Sequence, residues 1–333
     1  MDNSKIPVLV LFGPTASGKT GILLETFGSA AMQKKAAEVI SADSMQVYRG
    51  MDIGTAKPTA EEKEILPHHL IDICDPSEQF NAGDFVRLAG EICLDIAGRG
   101  KIPVISGGTG FYLKNFIMGL SEAPPGDPEI RSVLREELEK NGALSLMKEL
   151  AAVDPVSAER IHINDEYRLL RALEVWRFCG KPLSSFKAPT LGTEIEKPPS
   201  ERFNFIIIGL SRPREELYSR INERCAQMFG RGLPDEVRAL HKKGYTPNDP
   251  GLRAIGYREF FVEDGDNSWR LSQDMDGVQA LVAQNSRRYA KRQITFFTGI
   301  LARNNSHYIK WVECKKSDKQ TAEVVQKELE NFL

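Results

Sequence analysis

Apolar residues come in short unbroken runs along this chain. Val8-Leu9-Val10-Leu11-Phe12 is the first, followed by Glu38-Val39-Ile40-Ser41, Ile102-Pro103-Val104-Ile105-Ser106 and Phe203-Asn204-Phe205-Ile206-Ile207-Ile208-Gly209. Such runs, bounded by turn residues, predict strands buried on both faces, the habit of a parallel sheet. Between them the pattern predicts helices over Gly21 to Phe27, from the cap Asn81 to about Gly98, and from Phe111 onward. The character changes near Leu120. Ser121 to Gly126 reads as a linker, and Asp127-Pro128-Glu129 opens a helix that ends at Asn141-Gly142. A second helix over Leu144 to Val153 is stopped by Asp154-Pro155, and a third over Asp165 to Phe178 takes Asn164 as its cap and Gly180 as its end. Lys187 to Arg202, with Pro189, Pro198 and Pro199, is the linker out. The chain then returns to the sheet; Ser211 is expected to cap a long helix with Pro213 at its start, and another helix runs from about Gly277. The fold class is therefore α/β, a parallel sheet flanked by helices, with 1–120 and 201–333 as parts of one core and 121–200 as an all-helical insertion domain.

Composition adds bounds. At 333 residues the chain exceeds the usual size of one core, which favours a second domain or a large insertion. Apolar residues make up 41% and charged residues 27%, and no apolar run approaches the roughly 20 residues of a membrane span. Met1-Asp2-Asn3-Ser4-Lys5 leads into a core strand rather than a signal peptide, so a cytoplasmic location is expected. Cys74, Cys93, Cys179, Cys225 and Cys314 are scattered, never in C-x-x-C spacing, and are expected to be small buried hydrophobes rather than a disulfide or zinc set. The net charge of -2 gives no global sign of nucleic acid, so such a partner must be met by local patches.

The clearest chemistry follows the first strand. Gly13-Pro14-Thr15-Ala16-Ser17-Gly18-Lys19-Thr20 fits G-x-x-x-x-G-K-[ST] between a strand and a helix. Its glycines let backbone amides curl around a phosphate and the helix aims its positive end at the same anion, while Lys19 adds a charge and Thr20 a hydroxyl for magnesium. Asp43, beyond the second strand, should face the bound phosphates, since ligands collect at the carboxyl ends of parallel strands; its bland alternative is a turn or cap residue. Gly50 to Pro58 reads as a loop over the site, and Gly107-Gly108-Thr109-Gly110 as a turn that permits close backbone approach. The adjacent His68 and His69 would point to opposite faces of an extended segment and are taken as structural.

On the third inserted helix, Leu169, Leu170, Leu173 and Trp176 form an apolar face, while Arg168 and Arg171 would ordinarily be a solvated one. Arg220 and Arg224, four apart, could reach a phosphate or pair with Glu216 or Glu223. Leu252-Arg253-Ala254-Ile255-Gly256-Tyr257-Arg258 mixes arginine with tyrosine around a glycine. Arg287, Arg288, Lys291 and Arg292, with Tyr289 among them and no acid nearby, suit a nucleic-acid backbone.

Taken together, the phosphate loop, the string from Asp43 to Pro58 (Asp-Ser-Met-Gln-Val-Tyr-Arg-Gly-Met-Asp-Ile-Gly-Thr-Ala-Lys-Pro), the Gly107–Gly110 turn and Ala290-Lys291-Arg292-Gln293-Ile294-Thr295 resemble the tRNA dimethylallyltransferases. The likeness spans nearly the whole chain. It implies a core like that of a P-loop nucleotide kinase, a helical insertion that closes on tRNA, and transfer of a dimethylallyl group from its diphosphate to N6 of the adenosine just 3′ of the anticodon. Asp43 matches the family's general base, and Ser17, Lys19, Thr20 and Arg224 match groups around the diphosphate, with Gly13, Pro14, Thr15, Ala16 and Gly18 completing the loop. Thr109 and Arg131 match single tRNA contacts; Asp43, Ser44, Met45 and Gln46, then Tyr167, Arg168, Leu169, Leu170 and Arg171, then Arg253, Ala254, Ile255, Gly256, Tyr257 and Arg258 match longer ones, joined by Lys291 and Arg292. Mg2+ on Thr20 is the expected cofactor, and the anticodon arm of tRNA and dimethylallyl diphosphate the expected partners of a monomer with no membrane contact. Phe296 stands where the family usually has Trp, an aromatic exchange that keeps a packing role, and the zinc finger of eukaryotic members is not seen, which favours the bacterial form. Other readings remain: an adenylate isopentenyltransferase acting on free AMP or ATP, a P-loop small-molecule kinase, and a nucleotide-gated RNA-binding module without catalysis.

Overall fold

The computed structural model describes residues 5–28, 36–186, 202–265, 268–301, 309–315 and 317–333. In chain order the elements that matter are β1 (Ile6–Phe12), α1 (Lys19–Gly28), β2 (Ala37–Ser41), α2 (Ala60–Ile65), β3 (His68–His69), α3 (Ala82–Gly98), β4 (Ile102–Gly107) and α4 (Gly110–Met118). Then come α5 (Pro128–Val153), α6 (Pro155–Arg160), α7 (Glu166–Cys179), β5 (Phe203–Ser211), α8 (Arg214–Gly230) and α9 (Leu233–Lys242). The last are β6 (Phe261–Glu263), β7 (Trp269–Leu271), α10 (Met275–Phe296), β8 (Ile309–Glu313) and α11 (Asp318–Phe332). Two compact units result: Met1–Met118 with Leu191–Leu333, and Gly119–Thr190.

In the first unit six strands form a parallel sheet of order β3-β2-β4-β1-β5-β8, and β6 and β7 pair antiparallel apart from it. β1 is central and its side chains divide between two cores, as period-2 geometry requires. Val8, Val10 and Phe12 join Phe85, Leu113 and Tyr257 on one face. Leu9 and Leu11 join Ile22 of α1 and Val325 of α11 on the other. Because every strand of this sheet runs the same way, the segments after β1, β2 and β4 leave one edge together, which brings the phosphate loop, Asp43 and the Gly107–Gly110 turn into one place. β3 pairs with β2, and its histidines diverge as expected: His68 Nδ1 lies 2.6 Å from the Leu66 carbonyl and His69 Nε2 2.7 Å from Glu38.

The second unit is helical. α5 is broken at Gly142 (φ 74°, ψ 162°), the break expected at Asn141-Gly142. α6 was not anticipated, because Asp154-Pro155 reads as a stop; instead Asp154 caps it by accepting from Ser157 N–H at 3.0 Å, with Pro155 at the first helical position. Leu134, Leu146, Leu150, Leu169, Leu170 and Leu173 form the core, while Trp176 is only half-buried.

Three local expectations need correction. Asp165, not Asn164, caps α7, accepting from Arg168 N–H at 3.2 Å, and Gly180 ends the helix in a left-handed conformation (φ 67°). Ser211 is the last residue of β5 rather than a cap, since the strand continues two residues past Gly209 to pair with β8; Pro213 precedes α8 without a side-chain cap. Of the cysteines, Cys93, Cys225 and Cys314 are buried, but Cys74 is half-buried and Cys179, at the solvent end of α7, is exposed. The expected linker from Lys187 lies outside the described residues up to position 201.

Candidate active site

The phosphate loop leaves β1 at Phe12 and passes through two left-handed residues, Ala16 (φ 62°) and Gly18 (φ 98°), before α1 begins at Lys19. Lys19 folds back on its own loop, donating to the carbonyls of Gly13 and Pro14, each at 3.0 Å. Burial of that ammonium lowers its pKa to about 8, against an opposing pull from Asp43 and with help from Arg224. α8 delivers two arginines to the same loop: Arg220 Nε donates to the Ala16 carbonyl at 3.0 Å, and Arg224 reaches Thr15 Oγ1 at 3.4 Å. Burial also lowers the pKa of Arg224, with Asp43 opposing. The carboxylates that could have drawn these arginines away are otherwise engaged, Glu216 by Arg212 and Glu223 by the Ser219 hydroxyl at 2.9 Å.

Asp43 stands across the cleft, two residues past β2, with Oδ1 accepting from Met45 N–H at 2.9 Å. The Gly107–Gly110 turn braces it: Thr109 N–H donates to the Ala42 carbonyl at 3.1 Å, and Thr109 Oγ1 accepts from Ser44 N–H at 2.9 Å. A Cβ on Gly107 would lie 2.1 Å from the Ala42 oxygen, so glycine is required there. Together with the Gly50–Pro58 loop these elements wall a cleft of about 770 Å³.

Of the residues that build the site, Gln293 and Lys57 were given no role in the sequence, and Gln46 only a match to a tRNA contact. Gln293 of α10 is buried, accepting from Thr15 N–H at 2.9 Å and donating to the Gly108 carbonyl at 2.8 Å, so it ties the phosphate loop to the turn after β4. Its place beside Lys291 and Arg292 was the available signal. The Gln46 side chain amide donates to the carbonyls of Thr55 (3.3 Å) and Ala56 (3.2 Å) and accepts from Ser41 at 2.8 Å. Lys57, its side chain 3% exposed, donates to Tyr48 O (2.6 Å), Asp52 (2.7 Å) and Asp72 (2.5 Å), pinning the loop from its far end.

The residues matched to tRNA contacts fall into two kinds. In the first unit Lys291 and Arg292 are exposed on α10 with Arg288, and Arg253 and Arg258 are exposed on their turn, whereas Ala254, Gly256 and Tyr257 are buried. In the second unit Tyr167 and Arg168 face solvent, Leu169 and Leu170 are core, and Arg131 and Arg171 both bind Glu174 at 2.7 Å. Glu174 is 2% exposed; burial opposes its charge, but the two guanidiniums hold its pKa below the ordinary value. Phe296 packs on Gly110, whose added Cβ would meet its ring at 2.4 Å.

A parallel sheet with a glycine-lysine-threonine loop at its carboxyl edge, flanked by arginines and faced by a carboxylate, defines an α/β protein of the phosphate-loop class. Residues 46–300 match the family described as IPP transferase. The chain belongs to that family. It is 43% identical over 313 residues to the tRNA dimethylallyltransferase of Geobacter sulfurreducens, covering 93% of each chain, and 42% identical over 299 residues to tRNA dimethylallyltransferase 1 of Syntrophotalea carbinolica, covering 90% of each. Among solved structures it resembles a tRNA isopentenylpyrophosphate transferase from Bacillus halodurans (TM-score 0.64, 35% identity, 98% of each chain). It also resembles a eukaryotic dimethylallyltransferase acting on tRNA (TM-score 0.79, 25% identity), covering 98% of this chain and 78% of that one.

Proposed function

We propose that the protein transfers a dimethylallyl group from dimethylallyl diphosphate to N6 of the adenosine just 3′ of the anticodon in tRNA. Among the structural observations, the one that carries this reading is that Asp43 shares a cleft with Lys19, Thr20 and Arg224 and interacts electrostatically with Lys19 and Arg224. The exocyclic amine of adenine is a poor nucleophile because its lone pair is delocalised into the ring. A carboxylate taking its proton as the N6–carbon bond forms contributes roughly 10² to 10⁴. The carbon–oxygen bond to diphosphate breaks in the same event, and the electron pair stays on the departing oxygen. Lys19, the loop amides, Arg220 and Arg224 stabilise that charge, so the phosphate loop holds a leaving group rather than a phosphoryl donor. The adenine must leave its stack to reach Asp43, which costs least in a single-stranded loop.

Magnesium fits as an ion carried by the diphosphate. Among the described residues no three carboxylates, histidines or cysteines converge, and Thr20 offers one hydroxyl on the cleft wall. Thr20 would hold such an ion beside the substrate phosphates, and the chemistry it would supply there is neutralisation of charge on the leaving group. No described helix is long and apolar enough to cross a membrane, and relatives named for acting on tRNA support a place where tRNA is found, so we read the enzyme as cytoplasmic and as a monomer. A dimer by light scattering would contradict the second point.

The test is incubation with labelled dimethylallyl diphosphate, bulk tRNA lacking the modification, and AMP. Label should enter tRNA as N6-(dimethylallyl)adenosine. Label in AMP alone, or phosphoryl transfer from ATP without prenyl transfer, would overturn the reading.

A further inference from the structure

Glu236 of α9 performs an unusual service for the loop that walls the cleft. Its carboxylate accepts from three consecutive backbone amides, Asp52 (3.0 Å), Ile53 (2.9 Å) and Gly54 (3.2 Å). Three amides converging on one anion form a backbone nest of the kind that elsewhere binds phosphate, here filled from within the protein. Glu236 Oε1, the oxygen that takes the Gly54 amide, also accepts from the Tyr257 hydroxyl at 2.6 Å, and that hydroxyl accepts from Gly54 N–H at 3.1 Å. Tyr257 has no exposed surface. Burial, then the neighbouring Glu236, raises its pKa, which keeps the phenol a donor to the carboxylate. The fit around the ring is close: a Cβ on Gly54 would fall 2.4 Å from it.

Both ends of this contact matter to the proposed reaction. Asp52, Ile53, Thr55, Ala56 and Lys57 line the cleft, so the amides gathered by Glu236 fix one wall of the donor site. At the other end, Tyr257 sits in the turn that holds Arg253 and Arg258 at the surface. A hydrogen bond between residues 203 apart in sequence thus joins the donor wall to a surface offered to RNA. Tyr257 itself, buried under that turn, is placed to position rather than to touch RNA.

We propose that Glu236 and Tyr257 are positioning residues, a latch that holds the cleft-lining loop in the register needed to bind the prenyl donor and ties that register to the Arg253–Arg258 turn. The inference rests on the function proposed above. Replacing the carboxylate by an amide sets an N–H2 group against donors that need an acceptor, whereas removing the phenol oxygen loses the bond to Glu236 and one of the two acceptors of Gly54 N–H, the other being Glu236 itself.

The test uses full-length protein, tRNA and the non-transferring donor analogue dimethylallyl thiodiphosphate. Tyr257→Phe should weaken analogue binding and raise the donor KM about threefold, because Glu236 still holds all three amides, and Glu236→Gln about tenfold or more, because the amides lose their shared acceptor. In both variants kcat at saturating donor and tRNA affinity should stay within about twofold. The double variant should be little worse than Glu236→Gln, because the two residues share one bond. Unchanged donor affinity in both variants would overturn the proposal. So would a parallel fall of kcat, donor affinity and tRNA affinity in Tyr257→Phe that tracked a lowered melting temperature, since that marks a merely structural contact. Wild-type protein that bound no analogue would instead refute the function on which the latch rests.

Discussion

Two sets of cations in this protein differ in almost everything but charge. Lys19, Arg220 and Arg224 turn their heads inward onto the phosphate loop, held by backbone carbonyls and the Thr15 hydroxyl. Arg288, Lys291 and Arg292 stand exposed on α10, one of them over the ring of Tyr289 at 5.7 Å. In the cleft, low dielectric makes each charge strong at short range and little affected by salt, at the expense of a weakened hold on the proton, as Lys19 shows. On the helix, solvent and salt screen the charges, an arrangement suited to meeting several phosphates at once. Under the proposed function, position rather than residue type separates a group that would stabilise a leaving diphosphate from one that would collect RNA. Gln293 lies between the two sets, bonded to the loop of one and carried on the helix of the other.

The largest expected effect comes from Asp43, which belongs to neither set. Asp43→Asn keeps the shape but loses the proton acceptor, so single-turnover transfer should fall about 10² or more while tRNA affinity stays within a few fold. Normal turnover would make Asp43 a turn residue and send the search for the base elsewhere. Next, Lys19→Ala and Arg224→Ala should each lower kcat/KM for the donor by roughly 10- to 100-fold, with tRNA affinity unchanged, since each removes a charge-assisted contact to diphosphate. Steady-state kinetics varying both substrates would show it, and equal losses on both sides would blur the two sets into one. Smaller still is a pH effect. Lys19 is protonated below about 8 and loses its charge above it, so diphosphate affinity should weaken as pH rises from 7 to 9. Titration calorimetry should find proton uptake on binding near pH 8, absent in Lys19→Ala.

Much of this arrangement was legible in the sequence, because it depends on local signals. β1, β2, β4 and β5 are unbroken apolar runs, the phosphate loop is a fixed string, and Gly142 and Gly180 mark helix ends. The edge strand β8 and the β6–β7 hairpin escaped notice, since short strands that alternate polar and apolar residues give little contrast. Gln293 and Glu236 escaped for a different reason. Their partners are backbone groups 278 and 182 to 184 residues away, and no local pattern encodes which amide a distant side chain will meet. Within the stretches matched to tRNA contacts, burial was legible for Leu169 and Leu170, whose spacing marks an apolar face, but not for Tyr257, which is internal while Arg253 and Arg258 of the same turn are exposed.

The mildest substitutions, Lys291→Ala and Arg292→Ala, should each make the slope of log tRNA affinity against log salt shallower by about 0.7 without abolishing transfer at low salt. The division between the two sets of cations is tested most directly by titrating salt against both substrates of the unmodified protein, with tRNA affinity read by filter binding and donor affinity by calorimetry with the thiodiphosphate analogue. The tRNA slope should be steep, the sum of several phosphate contacts, while the donor slope should be much shallower because its cations act inside the cleft. A flat tRNA slope beside a steep donor slope would contradict the division and leave the exposed face of α10 as ordinary solvated surface.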